Sequence, residues 1–334
     1  MNSTSQIKDQ FGRVHDYLRI SLTERCNLRC FYCMPAEGIE LSEKSHLMSH
    51  EEVIAIAKTF VEMGVKKIRL TGGEPLIKKN IEKIITELTQ LPINLGITTN
   101  GILLDNYFEL FKNSGVKDIN ISLDTLDKKK FEEITRRGYF DRVISNINLY
   151  EANGFNVKIN NVIIKDVNDN EITDFIEFTK DKNIAIRFIE FMPFDGNKWS
   201  TEKVITLNEI LSAAEEKYGS ENIIKLKSKK NGTAKNFQIK GYKGSFGVIS
   251  TVSNPFCDSC NRIRLTANGR IKNCLFSTSE TNLLTPLRNG EDIKPIIMDG
   301  IYHKKQVRGG MTSDKDFFDP KKNANNRTMI AIGG

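Results

Sequence analysis

Six cysteines fall into two groups of three, with none left over. The first group is CNLRCFYC, which places Cys26, Cys30 and Cys33 within eight residues and puts the aromatic Tyr32 just before the last thiol. The second, CDSCNRIRLTANGRIKNCLF, holds Cys257, Cys260 and Cys274. Thiolates bind soft metal centres, and a cubane iron–sulfur cluster takes cysteine ligands at its iron corners. Three cysteines leave one corner free, and an open metal position is where a catalytic site takes a substrate or cofactor. Spacing alone leaves other readings open. The first group also allows a zinc site short of one ligand or buried thiols of no special role, and the second a zinc knuckle lacking its fourth cysteine. Structural disulfides fit poorly. The start MNSTSQIKDQFGRVHDY has no apolar signal segment and no run of about 18 apolar residues occurs, which points to the reducing cytoplasm.

The elements that must position these thiols are strands and helices in alternation. DYLRISLT sets Leu18, Ile20 and Leu22 on one face and Arg19, Ser21 and Thr23 on the other, the period of two of a strand. Ser49 with Glu52 three residues later starts a helix in which Val53, Ala57, Phe60 and Val61 recur at helical spacing up to Gly64. The first cysteines lie between these two elements. The alternation continues through KKIRLTGG, INLGITTNG, KDINISLD, NVKINNVII and IAIRFIEFM, separated by helix-like segments such as NIEKIITELT, NYFELFKNSG and EITDFIEFTK. Stripes such as Ile81, Ile84, Ile85 and Leu88 are core. Strands joined by helices pair in parallel, so six units in one run suggest a (β/α)6 TIM-like barrel of the α/β class, complete or partial. The basic, aperiodic stretch IKLKSKKNGTAK reads as a linker or surface loop. The chain then divides into a barrel domain with an N-terminal extension, residues 1–225, and a smaller C-terminal domain, residues 226–334, with the second cysteine group. His46 and His50 are four apart but flank the Ser49 cap, with no third ligand nearby.

Hydrophobic residues make up 39% and charged residues 27% of 334, an ordinary globular balance, while the net charge is +7. The strand pattern says where part of that charge goes. If the apolar faces meet the helices, the lumen receives Arg19, Lys67, Arg69, Thr71, Thr98, Asn120, Ser122, Lys158, Asn160 and Arg187, far more polar and cationic than a filled barrel tolerates. Carboxylates such as Asp124 and Glu190 can neutralise one or two of these cations. The remainder call for a ligand, and a triphosphate offers several charges and many acceptor oxygens to guanidinium groups. Charge spent inward argues against nucleic acid or a membrane surface as partner.

The Cys-x3-Cys-x2-Cys motif with Tyr32 before its last cysteine, followed by TGGEP at residues 71–75, resembles the radical S-adenosylmethionine (SAM) superfamily. The second group, spaced Cys-x2-Cys-x13-Cys, and the terminal Gly333 and Gly334 extend the resemblance over nearly the whole chain, to the GTP 3′,8-cyclase family of molybdenum cofactor biosynthesis. The resemblance implies two [4Fe-4S] clusters, one on Cys26, Cys30 and Cys33 and one on Cys257, Cys260 and Cys274. It implies that SAM contacts Tyr32, Gly72, Gly73, Ser122 and Met192. GTP would contact Arg19, Lys67, Arg69, Thr98, Lys158, Arg187 and the stretch Arg262, Ile263 and Arg264, with Gly333 and Gly334 entering the active site. The implied reaction is reductive cleavage of SAM to a 5′-deoxyadenosyl radical, removal of the C3′ hydrogen of GTP, and closure to (8S)-3′,8-cyclo-7,8-dihydroguanosine 5′-triphosphate. Implied partners are a one-electron donor of the flavodoxin or ferredoxin type and cyclic pyranopterin monophosphate synthase as the next enzyme, and a homodimer is compatible. Two other readings differ in what they explain. A peptide-modifying radical enzyme accounts for both cysteine groups but not the cationic lumen, and a basic zinc-containing nucleic-acid-binding protein accounts for the charge but not six barrel units.

Overall fold

In the computed structural model, which describes residues 6–34, 38–227, 230–319 and 327–333, the six strands form where the period-two pattern places them. They are β1 (Tyr17–Ser21), β2 (Lys67–Thr71), β3 (Asn94–Thr99), β4 (Asp118–Ser122), β5 (Asn156–Ile163) and β6 (Ala185–Glu190). All pair in parallel and in chain order, as strands linked through helices on one side do. Helix α1 (His50–Glu62) begins on Ser49, whose hydroxyl accepts from the Glu52 N–H while the Glu52 carboxylate accepts from the Ser49 N–H. A cap of this kind contributes about 1 kcal/mol. Helix α2 (Ile81–Leu88) buries the Ile81, Ile84, Ile85 and Leu88 stripe. His50 opens α1 and contacts the Glu87 carboxylate near the end of α2.

Later strands extend this sheet at both edges. They are β7 (Ile223–Lys225), β8 (Lys235–Ile239), β9 (Ser245–Ile249), β10 (Arg262–Leu265), β11 (Arg270–Lys272) and β12 (Thr281–Asn282). Strand β9 pairs in parallel with β6 and continues into antiparallel β8 and β7, while β10 pairs in parallel with β1 and continues into antiparallel β11 and β12. The result is one curved twelve-stranded sheet, a partial barrel rather than a closed one. The basic stretch at 224–235 connects the β7–β8 hairpin, as its turn-like composition allows.

Alternation along the strands sorts the two faces. Leu18, Ile20, Ile68, Leu70, Ile97, Ile119, Ile121, Val157, Ile159, Ile186 and Phe188 are buried in the core, so the outer face is apolar and covered by helices. The intervening residues turn to the concave side. Because β10 runs parallel to β1, the Cys257–Cys260 turn that leads into β10 lies at the N-terminal ends of the parallel strands. The Cys26–Cys33 loop that leaves β1 lies at their C-terminal ends. The two cysteine groups therefore stand at opposite ends of the lumen.

Candidate active site

The first cysteine loop lines an open cavity that also takes in Tyr32, Gly72, Gly73, Thr98, Ser122 and Met192. The loop is pinned against helix α3 (Lys128–Thr135) by the Arg29 N–H donating to the Thr135 carbonyl and the Phe31 N–H to Ile134. The TGGEP turn at the end of β2 is held by two further bonds, from Gly73 N–H to the Thr23 carbonyl (2.7 Å) and from Glu74 N–H to Arg25 (2.8 Å). A Cβ at Gly73 would lie 2.2 Å from the Arg25 carbonyl oxygen, so this approach of turn to loop requires glycine. Glu74 is buried and accepts from the Leu76 N–H, the Asn100 N–H and the Thr99 hydroxyl, which ties the ends of β2 and β3 together. Burial nevertheless pushes its carboxyl up to about 7. Tyr32 donates to Asp124 (2.6 Å), and Asp124 also accepts from the Val162 N–H.

Burial pushes the Cys26 thiol up to about 11, Cys33 up to about 12 and Cys30 well above its ordinary value. Such thiols stay protonated near neutrality unless a metal centre replaces the proton. Two donors already point at Cys26 Sγ: the Leu28 N–H at 3.4 Å and the Asn100 amide at 3.8 Å. At the other end, burial and then the charges of Cys274 and Cys260 raise Cys257, which places the three within electrostatic reach of one another. Burial would raise Cys260 too, but Lys304 and Arg262 outweigh it and bring it to about 7. Among the described residues no three His, Cys, Asp or Glu side chains gather around a point tightly enough to hold a single ion. A cluster binds its ligands at separate iron corners and does not need that convergence. Each three-thiol set fits a cluster with one open corner.

Between the two groups, strand register stacks the inward residues in rows. Arg262, Tyr17 and Lys67 form one row and Arg264, Arg19 and Arg69 the next. Thr98, Asn120 and Lys158 form a third, and Ser122, Asn160 and Arg187 a fourth. The carboxylate that meets these cations is Asp118, 3.7 Å from Lys67 and 3.6 Å from Lys158. Asp124 and Glu190, the carboxylates expected in that role, are otherwise engaged: Asp124 by Tyr32, and Glu190 by the N–H groups of Val252 and Ser253 and by the Ser253 hydroxyl. The excess is therefore large, and burial lowers Arg187 to about 10 and Arg264 to about 9. Buried side-chain atoms of Thr98, Asn120, Asn160 and Arg262 have no partner among the described residues. Buried polar atoms that face inward unpaired mark a place for a ligand.

Residues 20–179 match the radical SAM superfamily and residues 184–309 match Molybdenum Cofactor Synthesis C. The chain is 48% identical over 332 residues to "GTP 3′,8-cyclase, mitochondrial" of Arabidopsis thaliana, covering 98% of this chain and 83% of that protein. The chain belongs to the GTP 3′,8-cyclase family. "GTP 3′,8-cyclase" of Listeria monocytogenes is 44% identical, with 90% of this chain and 91% of that one aligned. "Molybdenum cofactor biosynthesis protein 1" of Dictyostelium discoideum is 45% identical over 98% of this chain, which spans about half (52%) of that longer relative. Among solved structures, Streptococcus suis SuiB bound to S-adenosylmethionine superposes with a TM-score of 0.61 at 17% identity, over 95% of this chain and 74% of that one, a likeness of fold. No helix among the described residues is long and apolar enough to cross a membrane.

For a GTP 3′,8-cyclase family member, the structure adds residues that strand reading passed over. Tyr17 is two places before Arg19 and so on the same face, a signal present in the sequence. Its hydroxyl accepts from Arg69 Nε at 2.9 Å, and Lys67 and Arg262 lie over its ring. Arg69 is itself braced, donating to the Ile97 carbonyl at 2.7 Å. Ile263 turns its side chain into the core, which leaves only its backbone for a ligand. The tail returns to the site: Met329 and Ile330 line the first cavity, and Arg264 donates to the Gly333 carbonyl. Gly334 lies outside the described residues.

Proposed function

We propose that this chain carries out the radical SAM cyclisation of GTP to (8S)-3′,8-cyclo-7,8-dihydroguanosine 5′-triphosphate, the first step of molybdenum cofactor biosynthesis. The observation that carries this reading is the cationic lumen set between two three-cysteine groups at opposite ends of the parallel strands. Cys26, Cys30 and Cys33 hold one [4Fe-4S] cluster and Cys257, Cys260 and Cys274 the other. When bound, the first cluster and SAM supply a 5′-deoxyadenosyl radical able to remove the C3′ hydrogen of GTP. The protein's part is to bind and orient. Tyr32, Gly72, Gly73, Ser122 and Met192 shape the SAM cavity, while Arg19, Lys67, Arg69, Lys158, Arg187, Arg262 and Arg264 draw the triphosphate into the lumen. Thr98, on the border of cavity and lumen, faces both. Holding the ribose in reach of the cavity is a contribution of orientation, worth more here than any proton transfer. Residues 226–334 act as the auxiliary-cluster domain. The chain works in the cytoplasm with a flavodoxin- or ferredoxin-type donor and hands its product to cyclic pyranopterin monophosphate synthase.

The test is anaerobic incubation of the reconstituted protein with SAM, a reductant and each nucleoside triphosphate in turn. GTP deuterated at C3′ is expected to pass its label to 5′-deoxyadenosine, and ATP to give little product. Label arriving from another ribose position, or equal turnover of ATP, would reject the assignment of substrate and hydrogen.

The lumen also makes GTP binding depend on pH in a stated direction. Burial and then the charge of Arg187 hold the Lys158 ammonium down at about 8, against the pull of Asp118. Burial alone would raise the Tyr17 phenol, but Arg69, Arg19 and Lys67 outweigh it and bring it to about 7. As pH rises from 7 to 9.5 Tyr17 gains negative charge and Lys158 loses its positive charge, over a range where the terminal phosphate is already ionised. Both changes oppose a polyanion. GTP affinity measured by equilibrium dialysis should fall about tenfold by one unit above the Lys158 value. Lys158→Met should bind more weakly at pH 7 with a flatter profile. A flat wild-type profile would remove both residues from the triphosphate site.

A further inference from the structure

Beside the second cysteine group lies a buried cation that forms no ion pair with a carboxylate among the described residues. Lys304 is 2% exposed. Its ammonium donates to the Arg262 carbonyl at 2.8 Å and to Cys260 Sγ at 3.4 Å, so its acceptors among the described residues are a carbonyl and a sulfur. Lys304 lies within electrostatic reach of His15, whose partner Asp9 is occupied by Arg13 at 2.6 Å and by His15 itself at 3.0 Å. Other cations crowd the same place. Arg13 donates to the carbonyls of Cys257, Lys305 and Gln306, which ties the N-terminal segment to this group. Burying an ammonium without a counter-charge is unfavourable. The arrangement makes sense when an anionic, thiolate-ligated centre stands at Cys260.

We propose that Lys304 is a positioning residue for the second cluster, giving Cys260 an N–H···S bond and a fixed positive charge that set how readily that cluster accepts an electron. This rests on the reading of Cys257, Cys260 and Cys274 as cluster ligands. Hydrogen bonds to the sulfurs and nearby charge are levers on iron–sulfur potentials, because each added electron increases the negative charge that the surroundings must stabilise. Lys304 acts on the second cluster alone. The first lies at the far end of the strands, with its own donors at Leu28 and Asn100.

The experiment is a potentiometric titration of the anaerobically reconstituted full chain, followed by electron paramagnetic resonance. Added SAM perturbs the first cluster and so distinguishes the two signals. In Lys304→Met the second cluster should become at least tenfold harder to reduce, a midpoint lower by about 59 mV for one electron, while the first keeps its midpoint. Lys304→Gln, with a neutral donor, should fall between, and Lys304→Arg should stay near wild type. Selective loss of the second cluster in Lys304→Met would support the same role. A wild-type midpoint in Lys304→Met would overturn the proposal, as would loss of both clusters in all three variants, which would make Lys304 a general structural post. Wild-type protein with about four irons instead of about eight would show, before any variant is made, that the underlying reading of the second group has failed.

Discussion

Cys26→Ala is expected to abolish cleavage of S-adenosylmethionine, whereas Cys257→Ala should still cleave it and form no cyclised nucleotide. The difference follows from position. Cys26 lines the cavity shared with Tyr32, Gly72, Gly73, Ser122 and Met192, the residues assigned to SAM. Removing one of three thiols there leaves a cluster with two protein ligands in the only place where it can meet SAM, and activity should drop to background. Cys257 sits at the opposite end of the strands, beyond the rows of Arg262 and Arg264. Its loss leaves the first cavity intact. What it removes is one of the three thiols that would hold the second cluster at the far end of the lumen, so the radical chemistry would run without a correctly held substrate. The measurement is paired quantification of 5′-deoxyadenosine and cyclised product for each variant, with circular dichroism to establish folding. Equal loss of cleavage in two folded variants would show that the two groups do not divide the labour in this way.

Much of this arrangement was legible in the sequence for one physical reason: strand alternation carries the same information as the lumen. A run such as DYLRISLT states which residues face helices and which face inward, and the register of six parallel strands then turns separate residues into rows without further information. Cysteine spacing was legible because chelation imposes it. Contacts made between distant segments left no period to read. That Asp118 meets Lys67 and Lys158 depends on register between β2, β4 and β5. That Lys304 reaches Cys260 depends on how a loop more than forty residues away packs beneath β10. The extension of both sheet edges by later strands was also hidden, because no pattern in β9 and β10 says that they join β6 and β1, which are already paired on one side with their sequence neighbours. Glu190 reads as a lumen carboxylate by alternation, yet its oxygens are taken by the N–H groups of Val252 and Ser253, a loop interaction that no pattern announces.

The tail makes the sharpest demand on this reading. Two terminal glycines are ordinarily a frayed end, but Gly333 is buried with φ +75°, and its carbonyl accepts from Arg264, a cation of the lumen. A Cβ at Gly333 would lie 2.4 Å from Thr71 Oγ1 and 3.0 Å from Ser21 Cβ. Both the backbone conformation and the space therefore require glycine, and the residues it presses on belong to β1 and β2 where the first cavity meets the lumen. Gly333→Ala should dislodge the tail at a cost of about 1–3 kcal/mol in backbone strain alone, plus the clash, and lower product formation by tenfold or more. Deleting Gly333 and Gly334 should block cyclisation altogether. Neither change touches a cluster ligand, so iron content and both cluster spectra should remain as in wild type, and SAM cleavage should continue. Anaerobic turnover assays with iron analysis on the same preparations decide the matter. Normal product formation by the truncated chain would mean that the contact between Arg264 and Gly333 anchors a terminus and serves the reaction in no other way.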